Sequence, residues 1–198
     1  MAHESRAQFA SPGNWSSKRG YFIQSSAGTT GNFGGLNGAN SYCHTQVTGQ
    51  VWKGKSEAGT LTPARVRAFL CDSSTCQNPL PNTIYIFASA GDSTKGGALF
   101  KTDGSGSGPQ DAAVWSAATH FGYAGGHWTG PRNVGTATHW GTTSTGAANN
   151  SCLGWASGTG GDRGFQGDPT MSNSARWVTG ANAGCNTSYY VICIVDPI

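Results

Sequence analysis

Apolar and polar residues alternate near the start of the chain in a way that predicts a strand. The stretch KRGYFIQSS alternates around Tyr21 and Ile23, which is typical of a strand with one buried face. The next stretch, AGTTGNFGG, is rich in glycine and predicts a flexible turn.

The stretch LNGANSYCHTQV has the period of a helix. Leu36, Ala39, Cys43 and Val47 are spaced so that they share one helical face, and Asn37 is a plausible N-cap. This spacing predicts a helix whose inward face carries Cys43.

Four further stretches predict strands. ARVRAFLC is expected to bury Val66 and Phe69, and TIYIFAS and GALFKT read as two strands separated by the turn AGDSTKGG. Near the end of the chain, SYYVICIV is continuously apolar, which is typical of a central strand. DGSGSGPQD reads as a surface loop, and DAAVWSAATHFG fits a short helix or a strand equally well.

Residues 122–182 show no regular period. Glycine, threonine, asparagine and serine dominate this stretch, and Trp128, Trp140, Trp155 and Trp177 are spaced through it. It is either a set of ordered loops held by tryptophans and disulfides or a disordered segment. The tryptophans favour order, because disordered segments contain few aromatic residues.

The composition favours a loop-rich β or α+β domain with a neutral polar surface. The chain has 198 residues, of which 11% are charged and 31 are glycine, and it contains only two glutamates. That length fits one domain, which we place at residues 20–198 after an N-terminal extension, residues 1–19. The formal net charge is +3 and the basic residues are scattered, so we expect no nucleic-acid partner. No apolar stretch approaches the roughly 18 residues of a membrane span.

Six cysteines in this background indicate an oxidising compartment, and we expect an extracellular or cell-surface protein. Residues 1–20 lack the apolar core of a signal peptide, so we expect a mature form with an added Met1, or alternatively a virion protein.

The spacing of the cysteines limits their pairing. If residues 188–195 form a strand, Cys185 and Cys193 lie about 25 Å apart at about 3.3 Å per residue, too far to bond to each other. Each therefore needs a partner upstream. Cys71 and Cys76 are separated by the turn-forming DSST, so a local bridge is expected there.

Several motifs in order resemble the endostatin domain that ends collagens XV and XVIII, and related bacterial surface proteins. They are GNFGGLNGANSYCHTQV, ARVRAFL, LFKTDG, HWGTTSTGAANNSCLGW and GCNTSYYVICIVD, and together they extend over residues 20–196. The resemblance implies an α+β fold of the C-type-lectin-like class, with a mostly antiparallel mixed sheet, one or two helices and long ordered loops. It also implies two nested disulfides, Cys43–Cys193 and Cys152–Cys185. The Cys71–Cys76 pair lies outside the family's pattern.

The sequence carries no recognisable catalytic motif. It has no Gly-x-Ser-x-Gly elbow and no His-Glu-x-x-His, so we expect no enzyme. His120, His127 and His139 could supply metal ligands, but their spacing fits no zinc pattern and a structural role is favoured. Endostatin-type domains hold zinc through N-terminal histidines and an aspartate, and only His3 is present here, so we expect that site to be lost.

Heparin binding and calcium-dependent sugar binding occur among proteins of the wider fold, and each needs a particular set of residues. Heparin binding would need arginines that converge, and the candidates are Arg65, Arg67, Arg132, Arg163 and Arg176. Calcium-dependent sugar-binding relatives use Glu-Pro-Asn or Gln-Pro-Asp with Trp-Asn-Asp, and none of these occurs. Asp103, Asp162 and Asp168 are weak calcium candidates in flexible loops, and a role as turn residues is favoured. We therefore expect no cofactor.

The tryptophan-rich loops are the candidate ligand site. Tryptophan stacks on sugar rings while asparagine, threonine and serine bind their hydroxyls, although loop tryptophans also serve as core anchors. The core role is favoured for Trp115, Trp140, Trp155 and Trp177, whereas Trp128 is expected to be exposed. The predicted ligand-binding set is Trp128, Arg132, His127, His139 and Trp140.

The expected function is a non-enzymatic recognition or adhesion module that binds a glycan or a surface protein. The alternative is a self-assembling structural subunit of a surface fibre, tip or virion. A polysaccharide hydrolase is the weakest of the three hypotheses.

Overall fold

The chain folds as an α+β unit with a mixed sheet, two helices and three disulfides, which confirms the predicted fold class. A computed structural model describes residues 19–108, 126–136, 139–146, 148–167 and 181–198. The predicted extension up to residue 18 and the stretch DAAVWSAATHFG lie outside these residues.

The largest element is a five-stranded sheet in the order β2-β10-β1-β3-β4. Its strands are β1 (Arg19–Gln24), β2 (Val66–Ala68), β3 (Ile84–Ser89), β4 (Asp92–Lys101) and β10 (Ile192–Val195). β1 and β3 are parallel, and the other pairs are antiparallel. The last strand is flanked on both sides, as its continuous apolar sequence predicts.

Helix α1 (Leu36–Gly49) packs on β2 and β10 and buries Ala39, Cys43 and Val47, as their spacing predicts. Its N-cap is Gly35, so the prediction that Asn37 caps the helix is wrong. Gly35 has a φ of 94°, a value that glycine adopts without strain, and this residue turns the chain into the helix.

An aromatic cluster covers the opposite face of the sheet. Phe22 lies at its centre, with Trp140 stacked on it at a ring-centroid distance of 5.3 Å and an interplanar angle of 6°. The cluster's aromatic members are Phe22, Phe69, Tyr85, Phe87, Phe100 and Trp140. Burial of these rings is the main apolar contribution on this face.

The β3–β4 connection is shorter than the sequence indicates. The predicted turn AGDSTKGG is mostly strand, because β4 begins at Asp92 and only Ala90 and Gly91 connect the two strands. Register shifts near Ala88 give the pair a bulge, and Gly96 lies opposite it with a φ of 91°. A Cβ atom at Gly96 would lie 2.1 Å from the carbonyl oxygen of Phe87, so the close approach requires glycine.

The remaining strands lie in the stretch that was predicted to lack regular structure. β5 (His127–Trp128), β8 (Arg163–Gly167) and β9 (Ala181–Gly184) form a three-stranded sheet, and β6 (Arg132–Thr136) pairs with β7 (His139–Ser144). Two 3-10 turns complete the elements, at Pro63–Arg65 and Ala148–Asn150. β5 has only two residues and each of the other four strands contains a glycine, so these strands lack the alternation of apolar and polar residues that marks a strand.

The second helix, α2 (Cys152–Trp155), is a single left-handed turn. Cys152, Leu153, Gly154 and Trp155 have φ values of 52°, 54°, 69° and 69°. Ser151 supports the turn by accepting a hydrogen bond from the Gly154 amide at 3.2 Å. Cys152 and Trp155 are buried, whereas Leu153 is 57% exposed at the apex.

Three disulfides join these elements. Cys43–Cys193 links α1 to β10, Cys152–Cys185 links α2 to the turn after β9, and Cys71–Cys76 closes a local loop. These are the two pairs that the resemblance implies and the local bridge that DSST predicts. No helix in the described ranges is long and apolar enough to cross a membrane.

Candidate functional site

The predicted exposure of Trp128 is wrong, because its side chain is 0% exposed. Its ring packs edge-on against Trp155 and Tyr189, at centroid distances of 5.8 Å and 4.9 Å. Its indole Nε1 donates to the carbonyl oxygen of Thr29 at 2.8 Å. The sequence GGHWTGPRN looks like a surface turn, but Trp128 belongs to β5 and points into the core.

The predicted core role is confirmed for Trp140 and Trp155. Both are buried, and their indole Nε1 atoms donate to the carbonyl oxygens of Gly106 at 3.2 Å and Cys71 at 2.9 Å. Every tryptophan in the described ranges is buried, so none of these presents a ring face to a sugar. Trp115 and Trp177 lie outside the described residues.

Arg132 is a buried structural residue and not a surface ligand. Its guanidinium lies 3.9 Å above the Phe69 ring and donates to the Gln77 carbonyl at 2.9 Å and to Asn78 Oδ1. Burial lowers the pKa of Arg132 to about 9, so it remains a cation at neutral pH.

Of the three predicted histidines, His127 is the one whose side chain the structure describes. His127 is buried in β5, and the backbone of His139 pairs with Thr136 in the β6–β7 ladder. His120 lies outside the described residues. The burial of His127 removes it from the candidate ligand-binding set.

Among the four candidate arginines that the structure describes, Arg65 and Arg67 share a partner, Asp196. Arg67 forms an ion pair with Asp196 at 2.7 Å, and Arg65 donates to the Asp196 and Ala58 carbonyls. Arg132 is buried near Phe69, Arg163 lies in the small sheet, and Arg176 is outside the described residues. The two arginines that do meet are therefore engaged in holding the chain near its last strand.

The calcium candidates accept hydrogen bonds within their own turns. Asp103 Oδ1 accepts from the amides of Ser105 and Ser107, at 2.8 Å and 2.9 Å. Asp162 accepts from the hydroxyls of Ser157 and Thr159, and these bonds hold its pKa below the ordinary value. Asp168 lies outside the described residues. Within the described ranges of the chain, no three or more histidine, cysteine, aspartate or glutamate side chains form a group that could hold a metal ion.

A concave surface of the described chain lies elsewhere, on the sheet. A groove of about 780 Å³, within the size range of ligand sites, has Tyr21, Ile86 and Leu99 on its floor. These three residues are neighbours in register across β1, β3 and β4, so they form one row across the sheet. Segment 53–58 forms a wall, and the further lining residues are Arg19, Lys53, Gly54, Glu57, Ala58, Gly97 and Ile198.

The groove exists because α1 covers only part of its face of the sheet. The helix packs on β2 and β10, and among the described elements no helix packs on β3 or β4. Leu99 is consequently 44% exposed, whereas Ile23, nearer the helix, is fully buried. A second depression, of about 530 Å³, adjoins the groove beside Val51 and Ser93.

The groove combines an apolar floor with a charged rim. Burial raises the pKa of Tyr21, the nearby charge of Glu57 raises it further, and Arg19 opposes them, so the phenol is neutral at physiological pH. Lys53 extends over β4, where its Nζ donates to the Gly96 carbonyl at 3.3 Å. Such a surface suits a ligand with apolar and charged parts.

No sequence motif marks this groove. Its floor depends on the register of three strands, and its opening depends on how far one helix extends across the sheet. Neither is visible in local sequence. The available signal was the pair Leu99 and Lys101 at the end of GALFKT, where an apolar and a cationic side chain share one strand face.

Comparison with models of known protein families gives no match, and a search of curated proteins finds no similar sequence.

Proposed function

We propose that this protein is a non-enzymatic recognition module that binds a segment of a protein partner in the groove over β1, β3 and β4. The observation that carries the proposal is an open groove of about 780 Å³ with an apolar floor and a charged rim. Sites of this form bind ligands through burial of apolar side chains, while a few polar groups set their orientation.

A protein partner is a better occupant than a glycan. Sugar sites use exposed aromatic ring faces, but the described tryptophans are buried, and Tyr21 in the groove is only 3% exposed. Ile86 and Leu99 instead offer aliphatic surface, which suits the side chains of a peptide segment.

A binding role also fits the groove better than catalysis does. Glu57 carries the single side-chain carboxylate among the described residues that line it. Glycoside hydrolysis needs a pair of carboxyl groups, and nucleophilic catalysis needs a nucleophile beside a base. We therefore keep the protein in the non-enzymatic class.

The three disulfides indicate an oxidising, extracellular environment. Together with the order of sequence motifs, the two long-range pairs support our proposal that the domain is endostatin-like, of the C-type-lectin-like class. A location outside the cell or on a surface would place the groove where partner proteins are encountered.

The test is a screen of the full chain against a displayed random-peptide library and, in parallel, a glycan array. We expect peptide ligands whose binding is lost in Leu99→Ser, which removes apolar surface from the groove floor. Leu153→Ser is the matched control, because Leu153 is an exposed leucine on α2 and should leave binding intact.

Two outcomes would contradict the proposal. One is a glycan ligand whose binding is unaffected by Leu99→Ser. The other is an absence of peptide ligands together with concentration-dependent oligomers in light scattering, which would favour a self-assembling structural subunit.

A further inference from the structure

We infer that the partner segment binds as an added β-strand along the outer edge of β4, with its aliphatic side chains in the groove. The inference rests on the proposed function and names how the partner is held, through its backbone as well as its side chains. It follows from the direction in which the backbone groups of β4 point.

β4 is an outer strand of the five-stranded sheet in the described part of the chain. Its residues 99–101 pair with residues 84–86 of β3 in unbroken register, beyond the bulge near Ala88. The outer side of such a strand carries N–H and C=O groups that can pair with a further strand.

A hydrogen bond just beyond the paired residues shows which backbone groups point outward. The Thr102 amide donates to the Thr83 carbonyl at 3.0 Å, so the backbone of Thr102 points towards the β3 side. Because this direction alternates from one residue to the next, Phe100 also points towards β3, whereas Leu99 and Lys101 point away from it. Within the described ranges, no backbone hydrogen bond from another segment reaches the outward groups of Leu99 and Lys101.

Neighbouring residues define the two ends of this open edge. Before it, the side chain of Lys53 covers β4, where its Nζ donates to the Gly96 carbonyl at 3.3 Å. After it, Gly108 lies close to the Lys101 carbonyl, since a Cβ atom at Gly108 would be 3.4 Å from that oxygen. An incoming strand would therefore pair with β4 along Leu99–Lys101.

The open edge leads directly into the groove. Leu99 directs its backbone outward, and its side chain, 44% exposed, lies on the groove floor beside Ile86. Every second side chain of an added strand would lie on this face, next to Leu99. Burial of aliphatic side chains there removes apolar area from water on both sides. The structure thus favours an extended segment with aliphatic residues at alternate positions.

A partner segment fits this edge better than a second copy of the chain does. Three residues span only about 10 Å, and pairing over that length falls short of the roughly 1,200 Å² that stable interfaces between domains bury. Pairing of two copies would also bring their Lys101 side chains together on one short edge, where like charges repel.

The experiment uses fluorescence anisotropy with the full chain and a labelled eight-residue peptide in which leucine and threonine alternate. Two isomers carry the same side chains, but one is N-methylated at every leucine and the other at every threonine. In an added strand, the amides of one residue type point at β4 and those of the other type point to solvent. We expect one isomer alone to bind at least about tenfold more weakly than the unmethylated peptide, because it loses the backbone bonds to Leu99 and Lys101. Loss with methylated leucine indicates an antiparallel strand, and loss with methylated threonine indicates a parallel one.

A pair of variants tests the same bonds from the protein side. Lys101→Pro removes an outward amide, whereas Lys101→Ala removes the side chain and keeps the amide. We expect the proline variant to bind the unmethylated peptide about fivefold more weakly than the alanine variant. Proline is tolerated at an edge where the amide faces away from the ladder, and similar thermal unfolding of the two variants would show that the fold is kept.

The outcomes separate this inference from the function on which it rests. Equal binding of the two methylated isomers, with loss of binding in Leu99→Ser, would overturn strand addition but keep the groove. Absence of binding to the unmethylated peptide would also overturn the inference, as would equal binding by Lys101→Pro and Lys101→Ala. Dimers of the chain that are lost in Lys101→Pro would assign the edge to a second copy instead. Library peptides that bind away from the groove would overturn the proposed function.

Discussion

The two halves of this molecule are held together in different ways. In the sheet half, which comprises β1 to β4, β10 and α1, strands β1 and β3 pair over six residues and α1 covers two neighbouring strands. In the loop half, which comprises β5 to β9 and α2, strand β5 has only two residues and pairs over both of them. Backbone hydrogen bonds between strands therefore stabilise the sheet half more than they stabilise the loop half.

Side chains supply what the loop half lacks. Trp128 and Trp155 donate to the carbonyl oxygens of Thr29 and Cys71, both of which belong to segments outside the loop half. Each indole thus fills apolar space and also satisfies a backbone acceptor at a distant point of the chain. The comparison indicates that a few long-range hydrogen bonds from buried tryptophans order the long loops. Loss of one such bond should therefore increase local unfolding across several neighbouring strands of the loop half.

The largest effects are expected from removing the disulfides one pair at a time. Loop closure predicts losses of about 5 kcal/mol for Cys43–Cys193, about 4 for Cys152–Cys185 and about 2 for Cys71–Cys76. The order follows the sequence separations of 150, 33 and 5 residues. Denaturant unfolding of three double Cys→Ala variants measures it, and a larger loss for Cys71/Cys76 than for Cys43/Cys193 would contradict it.

The next largest effect is expected from a substitution that destabilises the loop half and leaves the sheet half intact. Trp128→Phe removes the bond to Thr29 and part of a buried ring, and we expect it to lower the free energy of unfolding by about 2 kcal/mol. Hydrogen exchange should then rise in β5 and β8 while β1 and β3 stay protected, because the latter pair depends on its own ladder.

Trp52→Phe is the matched control in the sheet half, where Trp52 donates to the Val47 carbonyl at the end of α1. It should leave exchange in β5 and β8 unchanged. If both variants increased exchange in the same amides, the halves would not be separately stabilised.

A smaller effect, of opposite sign, is expected at α2. Leu153 has a φ of 54° and a ψ of 51°, a left-handed conformation that costs a non-glycine residue about 1 kcal/mol. Its side chain is exposed, so burial of apolar surface offsets little of this cost. Leu153→Gly should therefore raise stability by about 1 kcal/mol in thermal or denaturant unfolding.

Leu99→Gly provides the contrast to that prediction. Leu99 lies in extended strand β4, where glycine increases the entropy lost on folding, so this variant should be less stable than the wild type. Destabilisation of similar size in both variants would show that the left-handed turn is not strained.

The smallest effect is the pH dependence of stability that comes from one carboxylate in each half. Asp162 lies in the loop half and Asp196 follows β10 in the sheet half, and both have an ordinary pKa of 3.8. The Ser157 and Thr159 hydroxyls lower the pKa of Asp162, so its contribution is complete above about pH 4 and is lost as the pH falls through the lower folded value. Burial raises the pKa of Asp196 despite its ion pair with Arg67, so its contribution is complete below about pH 4 and is lost as the pH rises through the higher folded value.

The two asparagine variants should therefore show opposite pH slopes. The stability deficit of Asp162→Asn should grow as the pH rises towards about 4, while that of Asp196→Asn should shrink as the pH rises beyond about 4. Thermal unfolding from about pH 2 to about pH 6 measures both slopes. Parallel slopes would contradict the assignment.

Local patterns predicted the sheet half well. The spacing of Ala39, Cys43 and Val47 identified the buried face of α1, and the apolar run at the C-terminus identified a strand flanked on both sides. The long-range disulfides came from resemblance to a family, because spacing alone excluded only the Cys185–Cys193 pair. Asn37 failed as a cap because two preceding glycines with positive φ already define the start of the helix.

The loop half and the groove depended on contacts that local sequence does not encode. Trp128 was expected on the surface because glycine and proline surround it, but its neighbours Trp155 and Tyr189 are distant in sequence. The groove depends on strand register and on incomplete coverage by α1. Motif searches for catalysis, metals or sugars could not have located either feature.

The Cys43–Cys193 bridge also determines how this domain would respond to a pulling force. β1 and β10 are antiparallel, so tension between Arg19 and Ile198 opens the Tyr21–Val195 pair first, then Phe22–Ile194, and stops at the bridged Cys193. The 150-residue separation spanned by the bridge adds almost nothing to the extension. At about 3.4 Å per residue, the chain from Arg19 to Ile198 could lengthen to roughly 100 Å, compared with roughly 500 Å if this bridge were absent and the other two disulfides remained. Ile86 and Leu99 on the groove floor lie inside the protected loop, whereas Tyr21 belongs to the strand that is pulled away, so tension would open the groove from its β1 side while most of the core stays folded.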